Sequence, residues 1–344
     1  MKDIKYVLAY LVPLSAVFSL AFQGYWAWTT VVLVFGIVPI LEIIAPQSKE
    51  NCAPERTDYR SNIRFFDWLL YVNVLFLYGI VGWYLYALAY GSGGTWEWVG
   101  RTLSTGIVVG TCGINVAHEL GHRNSVLDQN LAKIMLLPAL YQHFFVEHNR
   151  GHHKNVATDL DPASARKGDY VYAFWWRSVW GGWCSAWALE RERLEKKGDS
   201  IWQWDNAMVR FSTYQIVWLA GVYAVFGLKG LAGALAAALV GILLLETVNY
   251  LEHYGLRRLR LPSGHYEPVT PLHSWNSNHE VGRILLYELT RHSDHHYKST
   301  RKYQVLRHVD VSPQLPFGYP TSVLISLIPP LWFAIMHKHL TQYT

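Results

Sequence analysis

Four short stretches of this chain concentrate histidine in patterns suited to binding metal. The first, His118-Glu119-Leu120-Gly121-His122, sets imidazoles at i and i+4. On a helix they stand about 40° apart on one face, so both can hold a single ion. The same pattern is the HExxH of zinc hydrolases, in which the glutamate is a general base. The second stretch, Glu147-His148-Asn149-Arg150-Gly151-His152-His153, and the fourth, Arg291-His292-Ser293-Asp294-His295-His296, each deliver three imidazoles within six residues. Neighbours at i/i+3 or i/i+4 share a helical face, whereas an adjacent pair diverges by about 100°. One such cluster can therefore serve two ions. The third stretch, Asn249-Tyr250-Leu251-Glu252-His253-Tyr254-Gly255, adds one histidine.

The candidate ligands are thus His118, His122, His148, His152, His153, His253, His292, His295 and His296. A lone histidine is most often a solvated surface group or a helix cap. Clusters at the ends of apolar segments are not explained that way, because ionisable groups at a membrane edge are costly and mostly functional. Their number bears on the metal. Zinc is satisfied by four protein ligands, or by three and a water. Nine imidazoles are too many for one zinc, whereas two irons, which accept imidazole and a higher coordination number, fit them with room for O2. The residues leave copper open.

Metal-bound histidines usually donate their second ring N–H to a carboxylate or carbonyl. Glu119, Asn249, Glu252, Asn276, Asn278 and Asp294 are the candidates for that supporting role, and Glu147, Asp159 and Asp161 are also near in sequence. The polar stretch from His273 to His279 reads as support rather than as ligands. Glu246 falls on one helical face with Asn249 and His253, one to two turns into an apolar segment, and is a candidate to line a substrate path.

The elements that must carry these groups are read from composition. Of the 344 residues, 51% are hydrophobic and 16% charged, and the apolar residues fall in blocks. That is a membrane-protein profile, and Trp26, Trp28, Tyr90, Trp96 and Trp98 flank apolar runs as interfacial aromatics do. Six segments approach the roughly 20 residues that cross a bilayer: 6–22, 25–45, 66–89, 98–117, 208–226 and 231–250. With the N-terminus inside, only Arg101 and Lys229 of the 30 Lys and Arg lie at the outer face, as the positive-inside rule requires. This topology, obtained without counting histidines, puts segments 118–207 and 251–320 on the cytoplasmic side, and all 16 histidines with them.

Leu131 to Val146 is too short to span and reads as a re-entrant or interfacial helix; Thr321 to Met336 is broken by Pro329-Pro330 and reads as interfacial. The expected fold is an all-α integral membrane protein, one domain over 1–344, of six transmembrane helices with a cytoplasmic histidine-rich cap. Cys52, Cys112 and Cys184 form no CxxC, so neither a disulfide framework nor a thiolate site is expected. The net charge of +5 is explained by topology, so no nucleic-acid partner is expected.

HELGHR (118–123), EHNRGHH (147–153), NYLEHYG (249–255) and RHSDHH (291–296), with HSWNSNH (273–279) before the last, resemble the signature set of the AlkB-type membrane alkane 1-monooxygenases. The resemblance runs from the second span to about residue 320. Thr290 departs from the glutamine common there, outside the ligands. The resemblance implies a di-iron site of two Fe ions per chain held by the nine histidines. It implies terminal hydroxylation of medium-chain n-alkanes to 1-alkanols with O2 as co-substrate, in the inner membrane with both termini and the metal site cytoplasmic. It also implies rubredoxin as electron donor, fused or separate, with rubredoxin reductase upstream.

Membrane fatty-acid desaturases and lipid hydroxylases share the looser histidine pattern and are the nearest alternative. A membrane zinc protease built on His118, Glu119 and His122 is the alternative of another class, and it leaves seven histidines idle. An alkane has no polar handle, so its binding rests on apolar burial at about 0.8 kcal/mol per CH2. In the resembled family, side chains of the second span influence chain length, which singles out Val34 as a depth-setting candidate. Rubredoxins are small and acidic, and Arg150, Lys154, Arg257, Arg258, Arg260, Lys298, Arg301 and Lys302 are the basic residues that could dock one.

Overall fold

The computed structural model describes residues 2–343, and among them it is helical without a strand; pairing is limited to three isolated bridges. Among the described residues, four helices are long and apolar enough to cross a membrane: Asp3–Ala21, Gly24–Ile44, Arg64–Tyr90 and Ala207–His253. The last is 47 residues long and contains one non-helical residue, Gly227 (φ 64°, ψ −163°). That positive φ suits glycine, and it falls in the predicted turn between the segments 208–226 and 231–250. Residues 98–117 are helical throughout, as Thr95–Val108, a π-helical turn Val109–Asn115 and Val116–Gly121, although they are not among those four.

The chain divides into two compact units. The first comprises Met1–Ile37, Arg64–Val146 and Ala186–Leu245. Its helices approach through small residues, as helices in lipid do, where close van der Waals contact replaces the hydrophobic drive. A Cβ on Gly106 would lie 2.4 Å from Cβ of Val240. Ser15, Ser19, Thr30 and Ser104 form a buried hydroxyl network, with Ser15 donating to Thr30 at 3.0 Å and Ser104 to Ser19 at 3.2 Å. Arg101, expected at the outer face, is buried; it donates to the Phe22 carbonyl at 3.3 Å and lies 4.9 Å over the Trp98 ring.

The predicted helix 131–146 is corrected. A helix runs only over Val126–Met135, and turns with Leu140 at φ 55° follow before Phe144–Glu147. Pro138 accounts for the stop, because the residue before a proline is driven out of the α region.

The second unit comprises Val38–Ile63, Glu147–Ser185 and Glu246–Thr344. Its short helices His292–Tyr297, Tyr319–Ser326 and Pro329–Leu340 are joined by loops, and the break expected at Pro329-Pro330 is present. A helix not foreseen from the sequence, Val171–Glu195, carries the exposed indoles Trp176, Trp180 and Trp183, with Trp180 and Trp183 stacked at 5.3 Å. Its five tryptophans and interspersed arginines hid it from a search for apolar runs.

Candidate metal centre

Seven of the nine candidate ligands lie in the second unit, and the backbone sorts them into two sets. His148–His152 is a π-helical turn, so the face of His148 is repeated at i+5 rather than i+4. His148 accordingly meets His153, with their Nε2 atoms 3.1 Å apart, and His153 Nε2 is 3.2 Å from His295 Nε2. His152 turns to the second set instead. Its Nε2 is 3.2 Å from His296 Nε2, which is 2.9 Å from His292 Nε2, which is in turn 3.2 Å from His253 Nε2. The expected sharing of a face by His148 and His152 is thus corrected by the extra residue in the turn. The fourth cluster sits on a regular helix, where His292 and His296 at i and i+4 stay together and His295 faces the other set.

The ligand atoms of His152, His253, His292 and His296 all lie within 4.8 Å of one another, and so do those of His148, His153 and His295. Donors about 2.1 Å from one ion and at right angles to each other stand about 3 Å apart. The observed 2.9–3.2 Å between neighbouring Nε2 atoms has that spacing. Burial and the neighbouring imidazoles, His153 first, hold His295 and His296 well below the ordinary histidine range, leaving lone pairs for a cation. The donor set therefore fits metal.

The supporting groups fall into two kinds. Asp161 lies behind His152, with Oδ2 2.9 Å from Nδ1, and is itself held by the Ser164 hydroxyl at 2.5 Å and the Ala163 N–H at 3.0 Å. Burial opposes the Asp161 charge, but His152 and Ser164 outweigh it and lower the carboxyl pKa. Asp161, noted in the sequence only as near the second cluster, makes this contact from nine residues beyond His152. It also lines a cavity of about 280 Å³ with Ser164, Arg166, Arg177 and Ser185.

Asn276 and Asn278 hold loops rather than imidazoles. Asn276 Oδ1 accepts from the Ser293 N–H at 2.8 Å, which anchors the start of the fourth cluster, and Asn278 donates to Gln314 at 2.8 Å. Asn249 donates to Glu246 at 3.3 Å, and both are buried. Asp294 accepts from Arg301 and from Arg307, the latter at 3.0 Å. Arg301 is therefore turned inward onto a buried carboxylate, with 14% of its side chain exposed. That departs from the docking role expected of it. Arg258 likewise spends its guanidinium on the carbonyls of Glu267 (2.7 Å) and Lys154 (2.9 Å). Arg150, Lys154 and Lys298 are exposed, while Arg257 and Lys302 are half-buried.

In the first unit, His118 and His122 share the face expected of them, with ring centroids 5.0 Å apart. Glu119 does not. It pairs with Arg123 at 3.0 Å, which also binds Asp67 at 2.7 Å, all largely buried. A carboxylate fixed in that ion pair is not poised as the base of a zinc hydrolase. Val34 lies half-buried in a π-helical turn, Leu33–Ile37.

A family model described as fatty acid desaturase matches residues 94–326. Alkane 1-monooxygenase 2 of Pseudomonas aeruginosa is 39% identical over 340 residues, covering 96% of this chain and 89% of its own length. Alkane 1-monooxygenase 1 of the same organism is 39% identical over 352 residues, 99% of this chain and 92% of its own. The chain belongs to the alkane 1-monooxygenase family. Alkane 1-monooxygenase of Pseudomonas putida is a further relative, 39% identical over 309 residues, 90% of this chain and 77% of its own. Against these relatives the match covers 90–99% of this chain.

Proposed function

We propose that this chain is an iron-dependent alkane 1-monooxygenase of the inner membrane. It converts a medium-chain n-alkane, O2, two electrons and two protons to a 1-alkanol and water. The observation that carries the reading is the convergence of buried imidazole Nε2 atoms into two sets from sequence-distant clusters. The proposed ligands are His118, His122, His148, His152, His153, His253, His292, His295 and His296, and their number favours two irons over zinc. Bound iron supplies the O2-activating redox chemistry that no side chain here possesses.

The chain's own residues do the positioning. Asp161 fixes the ring of His152 through Nδ1, and Asn276 pins the helix that bears His292, His295 and His296. The domain is read as one catalytic unit over 1–344, with six spans at 6–22, 25–45, 66–89, 98–117, 208–226 and 231–250. Segments 118–207 and 251–320 and both termini face the cytoplasm in this reading, which the distribution of Lys and Arg supports. Val34 and Glu246 are read as lining the alkane path, and Arg150, Lys154, Arg257, Lys298 and Lys302 as the surface that receives rubredoxin.

The test is reconstitution of iron-loaded protein with rubredoxin, its reductase and octane or dodecane, with 1-alkanol as the product measured. An iron-loaded preparation that yields no alcohol overturns the reading. The fatty acid desaturase match makes an acyl substrate the second assay, and an unsaturated acyl product in place of alcohol would replace alkane as the substrate class.

A further inference from the structure

The helix Val171–Glu195 has two sides of opposite character. One is a stripe of buried residues at intervals of three or four, Val171, Phe174, Ser178, Gly182 and Ala186, which is the spacing of a single helical face. This side packs on the segment that bears the second histidine cluster. A Cβ on Gly181 would lie 2.6 Å from Cβ of Pro162, and the Ser185 hydroxyl donates to Glu147 at 3.3 Å. Phe174 meets the Tyr250 ring edge-on at 5.4 Å, and Trp175 donates to Thr247 at 3.0 Å.

The opposite side carries Tyr172, Trp176, Trp180 and Trp183, with Trp176 76% exposed and Trp180 56%. The three indoles form one row, their centroids 6.5 and 5.3 Å apart. Between Tyr172 and Ala188 no exposed residue bears a charge. Arg177, the one ionic residue in that stretch, is turned onto Asp169 at 2.7 Å. Charge returns only at the far end of the helix, where Arg191, Glu192 and Glu195 are exposed.

Exposed aromatic surface of this extent marks an interaction site, and lipid is the occupant that fits. A row without charge offers nothing by which to recognise a polar or acidic protein. Indole joins an apolar ring to one N–H donor, which is why tryptophan collects at the level of the headgroups. The row also continues into a second element, the C-terminal segment whose sequence reads as interfacial. The Tyr172 hydroxyl donates to the Leu327 carbonyl at 2.6 Å, the Tyr170 ring meets Phe333 at 5.3 Å, and Leu324, Ile328 and Leu331 are exposed in the same segment. The five charged residues between Glu190 and Glu195 exclude a crossing of the hydrocarbon, so the depth that remains is the interface.

We propose that the row of Tyr172, Trp176, Trp180 and Trp183 lies in the headgroup layer of the bilayer against phospholipid, and that the same helix leads into water from Arg191 onward. Its buried side then seats the segment with the second histidine cluster at the membrane surface. The proposal rests on the chain being embedded in a membrane and on no particular metal or substrate.

Cys184 is exposed beside Trp183 and is a native attachment point; Cys112 is buried, and Cys52, half-buried, is removed by Cys52→Ser. The experiment attaches the fluorophore NBD to Cys184 of the full-length Cys52→Ser protein in phosphatidylcholine liposomes. Quenching is measured with lipids that carry a nitroxide at the headgroup or along the chain, and with iodide in the water. Two labels calibrate the depth after Cys184→Ser: Leu75→Cys, exposed on the span 66–89, and Glu195→Cys at the charged end. The Cys184 label is expected to be quenched severalfold more by the headgroup nitroxide than by iodide. Leu75→Cys is expected to respond most to nitroxides deep in the chain, and Glu195→Cys to iodide.

A Cys184 label quenched by iodide as strongly as Glu195→Cys would put the row in water and overturn the proposal. A label reached by neither quencher would mean that a second copy or another protein covers the row, with the same consequence. Quenching deepest in the chain, as at Leu75→Cys, would place the row in the hydrocarbon and overturn the headgroup assignment. Iodide quenching at Leu75→Cys would instead overturn the membrane reading itself, so the two failures are told apart. The deciding label sits on a native cysteine and needs no change in the helix.

Discussion

At the scale of single residues, two acidic partners defined by geometry have separable expected effects, one on metal retention and one on stability. Asp161 touches His152 directly, and the loss of such a partner typically costs 10- to 100-fold in metal affinity or activity. Asp161→Asn is therefore expected to weaken iron retention within about that range while the helical content stays as in the wild type; chelator titration followed by iron analysis measures it. Iron retained as tightly as in the wild type would remove Asp161 from the site. Glu119 faces Arg123 and Asp67 lies on the same guanidinium. Glu119→Gln weakens a buried ion pair, so the expected change is a lower melting temperature with alkane turnover retained. Abolished turnover at unchanged stability would restore a direct chemical part for Glu119 and reopen the hydrolase pattern that its spacing suggests.

At the scale of elements, the limits of sequence reading are visible in the turns. The four clusters, the apolar blocks and the break at Pro329-Pro330 were legible because histidine spacing, hydropathy and proline are local signals. The sorting of imidazoles was not. It depends on one extra residue in the turn His148–His152, and no residue type announces a π-helical turn. The helix Val171–Glu195 escaped because tryptophan and arginine dilute its hydropathy, and the inward turn of Arg301 escaped because its partner Asp294 is made by tertiary folding.

Helix packing in the first unit supplies a prediction that follows from space alone. Gly106 lies against Val240, whereas nothing lies within 4 Å of a Cβ built on Gly221. Gly106→Leu is expected to destabilise by about 1–3 kcal/mol through overpacking, read as a lower melting temperature in detergent, while Gly221→Ala leaves it unchanged or raised. Equal effects at the two positions would show that the close approach at Gly106 is not a constraint. Val34 belongs to the same scale, since it lies in the π-helical turn Leu33–Ile37 of an apolar helix. If that turn borders the alkane path, Val34→Trp shortens the preferred chain in a competition assay with mixed n-alkanes; an unchanged product profile assigns Val34 to lipid-side packing.

At the scale of the whole molecule, charge distribution does two jobs that must be separated. Lys and Arg fall almost wholly on one side of the proposed topology, and the positive-inside rule alone accounts for that. Their presence is thus no argument for a protein partner; their availability is. Arg301 and Arg258 are occupied by Asp294 and by backbone carbonyls, whereas Lys154 and Lys298 are exposed cations next to the histidine clusters. If an acidic donor such as rubredoxin docks there, turnover limited by donor encounter falls as salt rises, since the screening length shrinks from about 10 Å at 0.1 M to about 3 Å at 1 M.

The double variant Lys154→Glu with Lys298→Glu is then expected to raise the KM for rubredoxin severalfold at low salt, to leave kcat unchanged at saturating donor, and to converge on the wild type at high salt. Convergence is the informative part. A direct disturbance of the nearby ligands would lower kcat at every ionic strength, whereas lost steering disappears once screening removes it from the wild type as well. Turnover indifferent to ionic strength in both proteins would mean that rubredoxin reaches the site without the help of these cations.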